Sequence, residues 1–214
     1  MSAKKGVFIT FEGPDGSGKT TQSGLLVQHL RRQGYDVFHT REPGGTSLAE
    51  FLRGVLLRPD ANISPVTELL LYSAARAQHT VELIKPALSS GKVVVCERYT
   101  DATVAYQGYG RGLELKLIAT LNGIATGGLK PDLTIILDIP VRNGLKRVAR
   151  GRATDRLENE KLSFHEKVRK GYMTISKKDG KRVKIVLSKG SILKIQDRIK
   201  WYVESMLKRA QYSI

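Results

Sequence analysis

The chain has a single cysteine, Cys96, so an internal disulfide is excluded. Its setting, Val93-Val94-Val95-Cys96, reads as a small buried residue of a strand rather than a nucleophile. No run approaches the ~20 consecutive apolar residues that a membrane-crossing helix needs. The first residues, Met1-Ser2-Ala3-Lys4-Lys5, lead into a short apolar stretch without a cleavage-site pattern, and the expectation is a cytoplasmic protein. Acidic residues are scarce: 20 Asp/Glu against 36 Lys/Arg give a net charge of +16. Residues 161–214 carry much of the excess, with 15 basic and 4 acidic side chains, a net +11. Such a surface attracts polyanions, whether nucleic acid or phosphorylated small molecules. Zinc-ligand spacing, a basic zipper and an aromatic-interleaved basic motif are all missing, so no dedicated nucleic-acid partner is expected. A basic nucleic-acid-binding ATPase is kept as the alternative reading. The histidines at 29, 39, 79 and 165 show neither ligand spacing nor a triad, and there is no internal repeat.

With 214 residues, 41% of them hydrophobic, the chain can bury one sizeable core, and the expectation is one domain over residues 1–214. Short apolar runs at Val7–Phe11, Val37–His39, Val93–Cys96, Leu133–Leu137 and Val183–Leu187 alternate with longer segments of helical period. The pattern predicts an α/β fold, a five-stranded parallel sheet flanked by helices on both faces. Helices are predicted over Lys19–Gln33, Pro65–Ser90, Glu114–Ala125, Val141–Arg150, Glu158–Ile175 and Ser191–Arg209, the first two stopping at Gly34 and Gly91. In such sheets ligands bind beyond the carboxyl ends of the strands, which directs attention to the loops that follow them.

The first such loop is Gly13-Pro14-Asp15-Gly16-Ser17-Gly18-Lys19-Thr20, between a strand and a helix start. Glycines at 13, 16 and 18 let successive N–H groups turn inward on phosphate oxygens. Lys19 supplies a point charge for the β- and γ-phosphates and Thr20 a hydroxyl for magnesium, while the helix dipole points its positive end at the same spot. ATP with Mg2+ is the implied co-substrate. Such a loop does not name a reaction, but the chain contains neither Asn-Lys-x-Asp, a guanine signature, nor Leu-Ser-Gly-Gly-Gln, a transporter signature, which turns the reading towards small kinases.

A second strand ends in Glu97-Arg98-Tyr99, a carboxylate able to organise magnesium beside an arginine able to grip phosphate. Asp138 ends another strand in the same manner and is the alternative carboxylate. Further out lie Thr40-Arg41-Glu42-Pro43-Gly44-Gly45-Thr46, Arg76-Ala77-Gln78-His79, Ala105-Tyr106-Gln107-Gly108-Tyr109-Gly110-Arg111-Gly112 and Asp155-Arg156-Leu157-Glu158. Together with the phosphate loop, these segments resemble the bacterial form of the thymidylate kinase family, in order and separation, over most of residues 6–175.

The resemblance implies a P-loop nucleoside monophosphate kinase-like fold and a homodimer. It implies transfer of the γ-phosphoryl group of ATP to dTMP, giving dTDP and ADP, a step of dTTP synthesis. It also implies that Asp15 meets the acceptor's sugar hydroxyl, Arg41 and Arg98 its phosphate, and Tyr72 its base. Arg76, Thr103 and Gln107 fall where the family reads thymine, and Tyr106 where it crowds out a ribose 2′-hydroxyl. Two positions depart from the family's usual pattern: Glu97 stands for aspartate, which moves the carboxylate by about one bond length, and Tyr72 for phenylalanine.

Phosphoryl transfer requires the substrates held in line and the moving charge neutralised. Arg147, Arg150, Arg152 and Arg156 surround Gly151 and resemble the family's arginine-bearing lid, here at about 147–158. Because Gly16 stands after Asp15, where the other form of the family has arginine, the lid is expected to provide the catalytic charge, with Arg152 favoured. The expected catalytic set is therefore Lys19, Glu97, Arg98 and Arg152, with Thr20 and Glu97 on the metal.

Overall fold

The structure is a computed structural model and describes residues 6–151 and 154–209. Five strands form one parallel sheet in the order β2-β3-β1-β4-β5: β1 Val7–Glu12, β2 Val37–Arg41, β3 Val93–Glu97, β4 Leu133–Asp138 and β5 Val183–Leu187. The three inner strands are buried almost end to end, which is why they read as continuous apolar runs. Alternation sorts their side chains between two faces. Ile9, Phe11, Val95 and Ile135 meet Leu26 and Leu30 of α1 (Lys19–Arg32) and Ile199 and Val203 of α9 (Ile192–Arg209). On the opposite face, Phe8 and Val94 pack with Ile84 and Tyr99, while Ile136 packs with Val168 and Tyr172 of α8 (Leu162–Lys178).

The long segment expected as one helix is α3 (Pro65–His79), a π-helical stretch over Thr80–Ile84 and α4 (Lys85–Ser89), without a break. The wider turn falls on Thr80 and Ile84, both fully buried. Two helical segments were not anticipated. The first, α2 (Ser47–Leu57), is capped by the Thr46 hydroxyl, which accepts from the Ala49 N–H. The second is α5 (Thr100–Thr103) running into a π-helical segment at Val104–Gly110. The remaining helices, α6 (Leu115–Thr126) and α7 (Val141–Gly151), lie where the periodicity placed them. Among the described residues, no helix is long and apolar enough to cross a membrane. Cys96 is buried in β3, and burial pushes its thiol pKa well up, as suits a structural residue.

Candidate active site

The sheet order places the carboxyl end of β1 beside those of β3 and β4, so the loops that follow these strands share one rim. The phosphate loop leaves β1 and closes directly onto its neighbours. A Cβ on Gly16, whose φ is +70°, would lie 2.1 Å from the Gly144 carbonyl oxygen of α7, and one on Gly13 would lie 2.3 Å from that of Leu137. Glycine at these positions is required by both conformation and space. At the top of the loop, Lys19 donates to the carbonyls of Gly13 (3.0 Å) and Pro14 (2.9 Å). Burial, reinforced by the nearby Arg98 cation, lowers the Lys19 pKa to about 7.

Arg98 follows β3 with φ +64°, a left-handed turn secured by its N–H donating to the Phe11 carbonyl at 2.8 Å. That turn sends its guanidinium back over the phosphate loop. There it donates to Gly13 O (3.3 Å), the Tyr106 hydroxyl (3.0 Å), the Tyr172 hydroxyl (3.3 Å) and the Asp15 carboxylate. Tyr106 donates to the other Asp15 oxygen at 2.7 Å. Burial opposes the ionisation of Asp15, but Arg98, Lys19 and the Tyr106 hydroxyl together hold its pKa below the usual range. Tyr172 is fully buried and bridges Arg98 to Glu12.

Thr20 donates to Glu97 Oε2 at 2.7 Å, and Ser23 donates to Glu97 Oε1 at 2.9 Å. Although burial opposes it, hydrogen bonds from His39, Thr20 and Ser23 keep Glu97 below its ordinary pKa. Asp138, the alternative carboxylate, is bound by Arg169 through two bonds of 2.6 and 2.8 Å and is thus committed elsewhere. The pair expected to hold magnesium is therefore assembled from hard, anionic or hydroxylic oxygen donors, the chemistry that cation takes.

These groups open onto a cleft of about 380 Å³, and Asp15, Arg41, Tyr72, Arg76, Arg98, Thr103, Tyr106 and Gln107 all line it. Their states differ. Arg76 is 2% exposed and donates to Glu42, Thr103, Asn122 and the Tyr99 carbonyl at 2.7–3.0 Å. Arg41 is half-exposed and rests on Glu50 at 3.1 Å, a weak surface pair. Tyr72 is partly buried, and burial raises its hydroxyl pKa.

The arginines expected to form the lid are placed differently. Arg147 on α7 lines the cleft and reaches the Gly16 carbonyl at 3.4 Å. Arg152 lies outside the described residues. Arg156, read as one of four clustered lid cations, is instead a wall residue: it donates to Glu68 (2.6 Å) and to the Leu56 carbonyl (2.9 Å) and is 9% exposed. The physical reason is a fully buried carboxylate within its reach, which a loop of charged residues does not advertise. Sequence reading passed over Glu68, Glu12, Glu42, Asn122 and Arg53. The one local signal for Glu68 was a carboxylate set against the apolar Leu69-Leu70-Leu71, one turn before Tyr72.

Comparison with known proteins follows the same outline. The family model described as thymidylate kinase matches residues 11–199. The thymidylate kinase of Geotalea uraniireducens (strain Rf4) is 54% identical over 188 residues, 85% of this chain and 88% of the relative. That of Synechococcus sp. (strain JA-2-3B'a(2-13)) is 50% identical over 204 residues, 95% and 97% of the two chains. A crystal structure of thymidylate kinase from Ehrlichia chaffeensis superposes with a TM-score of 0.78 at 35% identity, covering 93% of this chain and 99% of that one.

Proposed function

The chain belongs to the thymidylate kinase family and is a nucleoside monophosphate kinase, and from that premise we propose how its cleft transfers the γ-phosphoryl group of ATP to dTMP, giving dTDP and ADP. The alternative of a basic nucleic-acid-binding ATPase finds no support in its relatives. One observation carries the proposal: Lys19 from the ATP side and Arg98 from the acceptor side converge on the same atom, the Gly13 carbonyl oxygen, at 3.0 and 3.3 Å. Two cations on one acceptor, 79 residues apart in sequence, mark the point where negative charge has to be neutralised.

In this reading Gly13–Thr20 cradles the triphosphate and Lys19 moves from loop carbonyls to the β- and γ-phosphates. Arg98, with Arg41 released from Glu50, grips the acceptor phosphate in a bidentate manner. Asp15, kept ionised, receives the acceptor's sugar hydroxyl, and Tyr106, tied to Asp15, fills the space a ribose 2′-hydroxyl would need. Tyr72 stacks on the base. Magnesium bound by Thr20 and Glu97 would offset phosphate charge; with two protein oxygens, most of its shell is left to phosphate and water. Arg152, with Arg147 beside Gly16, supplies the lid's charge, and closure excludes water as a competing acceptor.

We further assign the protein to the cytoplasm, where its nucleotide substrates are held, and to a homodimer, supported by the apolar residues that α2, α3 and α6 leave exposed. The decisive experiment on function is turnover with ATP against a panel of nucleoside monophosphates. dTMP is expected to give the highest kcat/KM and ribonucleotides the lowest; equal turnover across the panel refutes the assignment.

A further inference from the structure

Glu68 on α3 is fully buried and stands behind the cleft wall, one turn before Tyr72. Its Oε1 accepts from Gln107 Nε2 (2.8 Å) and Arg111 Nε (3.1 Å), and its Oε2 accepts from Arg111 Nη2 (2.9 Å) and Arg156 Nη2 (2.6 Å). Every lone pair it directs into the protein is thus met by an N–H. Burial opposes its charge, but the hydrogen bonds from Arg111, Gln107 and Arg156 hold its pKa below the ordinary value. An ionised carboxylate accepts and cannot donate. The Gln107 amide therefore has one permitted orientation, with its NH2 turned to Glu68 and its carbonyl oxygen turned away. That oxygen bonds to no described residue, and Gln107 lines the cleft from the π-helical segment Val104–Gly110.

We propose that Glu68 is a positioning residue for base selection: by holding the Gln107 amide with its carbonyl towards the cleft, it makes the acceptor site prefer a pyrimidine with an N3–H. The inference rests on the reading above that the base lies against Tyr72 and Gln107. Thymine offers N3–H as a donor to that carbonyl. Cytosine offers an N3 lone pair, which would face another acceptor. Turning the amide to suit cytosine would bring its oxygen against the Glu68 carboxylate, so the wrong base is rejected at whichever side the amide faces. Arg111 and Arg156 keep the carboxylate charged, which is what makes the orientation single-valued.

The test is the ratio of kcat/KM for dTMP to that for dCMP. In Glu68→Gln the residue at 68 can donate as well as accept, Gln107 can turn, and the ratio is expected to fall by about tenfold or more, through a lower KM for dCMP. Arg156→Lys, which alters one cation on Glu68 but keeps its charge and leaves the Gln107 bond, is expected to leave the ratio unchanged. A folded Glu68→Gln enzyme that loses activity equally on both substrates overturns the proposal. Should that variant not fold, hydrogen exchange of the Gln107 side-chain NH2, followed in 15N-labelled unaltered protein and assigned by the loss of its signal in Gln107→Met, decides the matter. Protection from solvent is expected, and exchange as fast as an exposed glutamine overturns the proposal. Gln107→Met also separates the two readings. If it leaves both the dTMP KM and the ratio intact, the base is not where the function places it. If it erodes the ratio while folded Glu68→Gln does not, only the role of Glu68 fails.

Discussion

Lys19 is the group whose state must change most when ATP arrives. Its ammonium donates to neutral carbonyls, and burial together with the Arg98 cation outweighs the nearby Asp15, Glu12 and Glu97 carboxylates, bringing its pKa to about 7 from an ordinary 10.5. That depression corresponds to a net penalty on the order of 5 kcal/mol for holding the charge at this position. A triphosphate supplies the counter-anion and returns the pKa towards its ordinary range, so binding must take up a proton. At pH 8, a group of pKa about 7 is roughly nine-tenths neutral, and the expected uptake is about 0.9 proton per ATP bound. Affinity for ATP should correspondingly weaken as pH rises through about 7.

Isothermal titration with Mg-ATP at pH 8, in buffers of different ionisation enthalpy, reads this number directly as the slope of observed heat against buffer enthalpy. At that pH the nucleotide carries no proton of its own to release. Lys19→Arg is the control, since guanidinium keeps its proton throughout; it should bind ATP with no slope. A slope near zero in the unaltered protein would sink the argument, as would an equal slope in Lys19→Arg, because either result means that the lysine is already charged or that another group moves the proton.

Glu12 leads to a stability prediction of the opposite kind. Burial, with Asp101 adding repulsion, raises its pKa to about 7; unfolded, it titrates near 4.5. Between these values the folded state holds a proton that the unfolded state has lost, so stability falls as pH rises from about 4.5 to 7, by an amount on the order of 3 kcal/mol. Glu12→Gln should remove that portion, and urea unfolding of both proteins at pH 5 and pH 8 checks it: parallel changes in the two would exclude Glu12 as the source. For the homodimer, Phe51 of α2 is 69% exposed and Ile124 of α6 is 74% exposed. Sedimentation should find twice the 23.7 kDa chain mass, and Phe51→Glu should shift it to the monomer; a monomeric unaltered protein at micromolar concentration would refute the assignment.

What was legible in the sequence was what local chemistry specifies. The inner strands are covered on both faces, so Val7–Glu12 and Leu133–Asp138 are mostly apolar, and their ends could be found to within a residue. The phosphate loop needs glycine at fixed places for reasons of conformation, and it was found for those reasons. By contrast, α2 was passed over although Leu48, Phe51 and Val55 recur at helical spacing: Gly54 interrupts the segment, and the exposed stripe turns away from the core that Ala49 and Leu56 enter. The cleft was harder for a related reason. Whether an arginine faces a phosphate or a wall depends on acids far away in sequence: Arg156 meets Glu68 across 88 residues, and Arg76 meets Glu42 across 34. A cluster of arginines near residue 151 therefore suggests a common role that the fold then divides. An arginine closed in on a fully buried acid becomes structure, as Arg156 does on Glu68, while a lid arginine bonded to a neutral carbonyl keeps its charge for the substrate. Among the described lid residues, Arg147, whose recorded bond is to a neutral carbonyl, meets that condition. Lys19 and Arg98 on Gly13 O follow a different balance, for Arg98 also holds the Asp15 carboxylate: the two cations at this point outnumber the one carboxylate bonded to them, and phosphorylated substrates bring the missing charge.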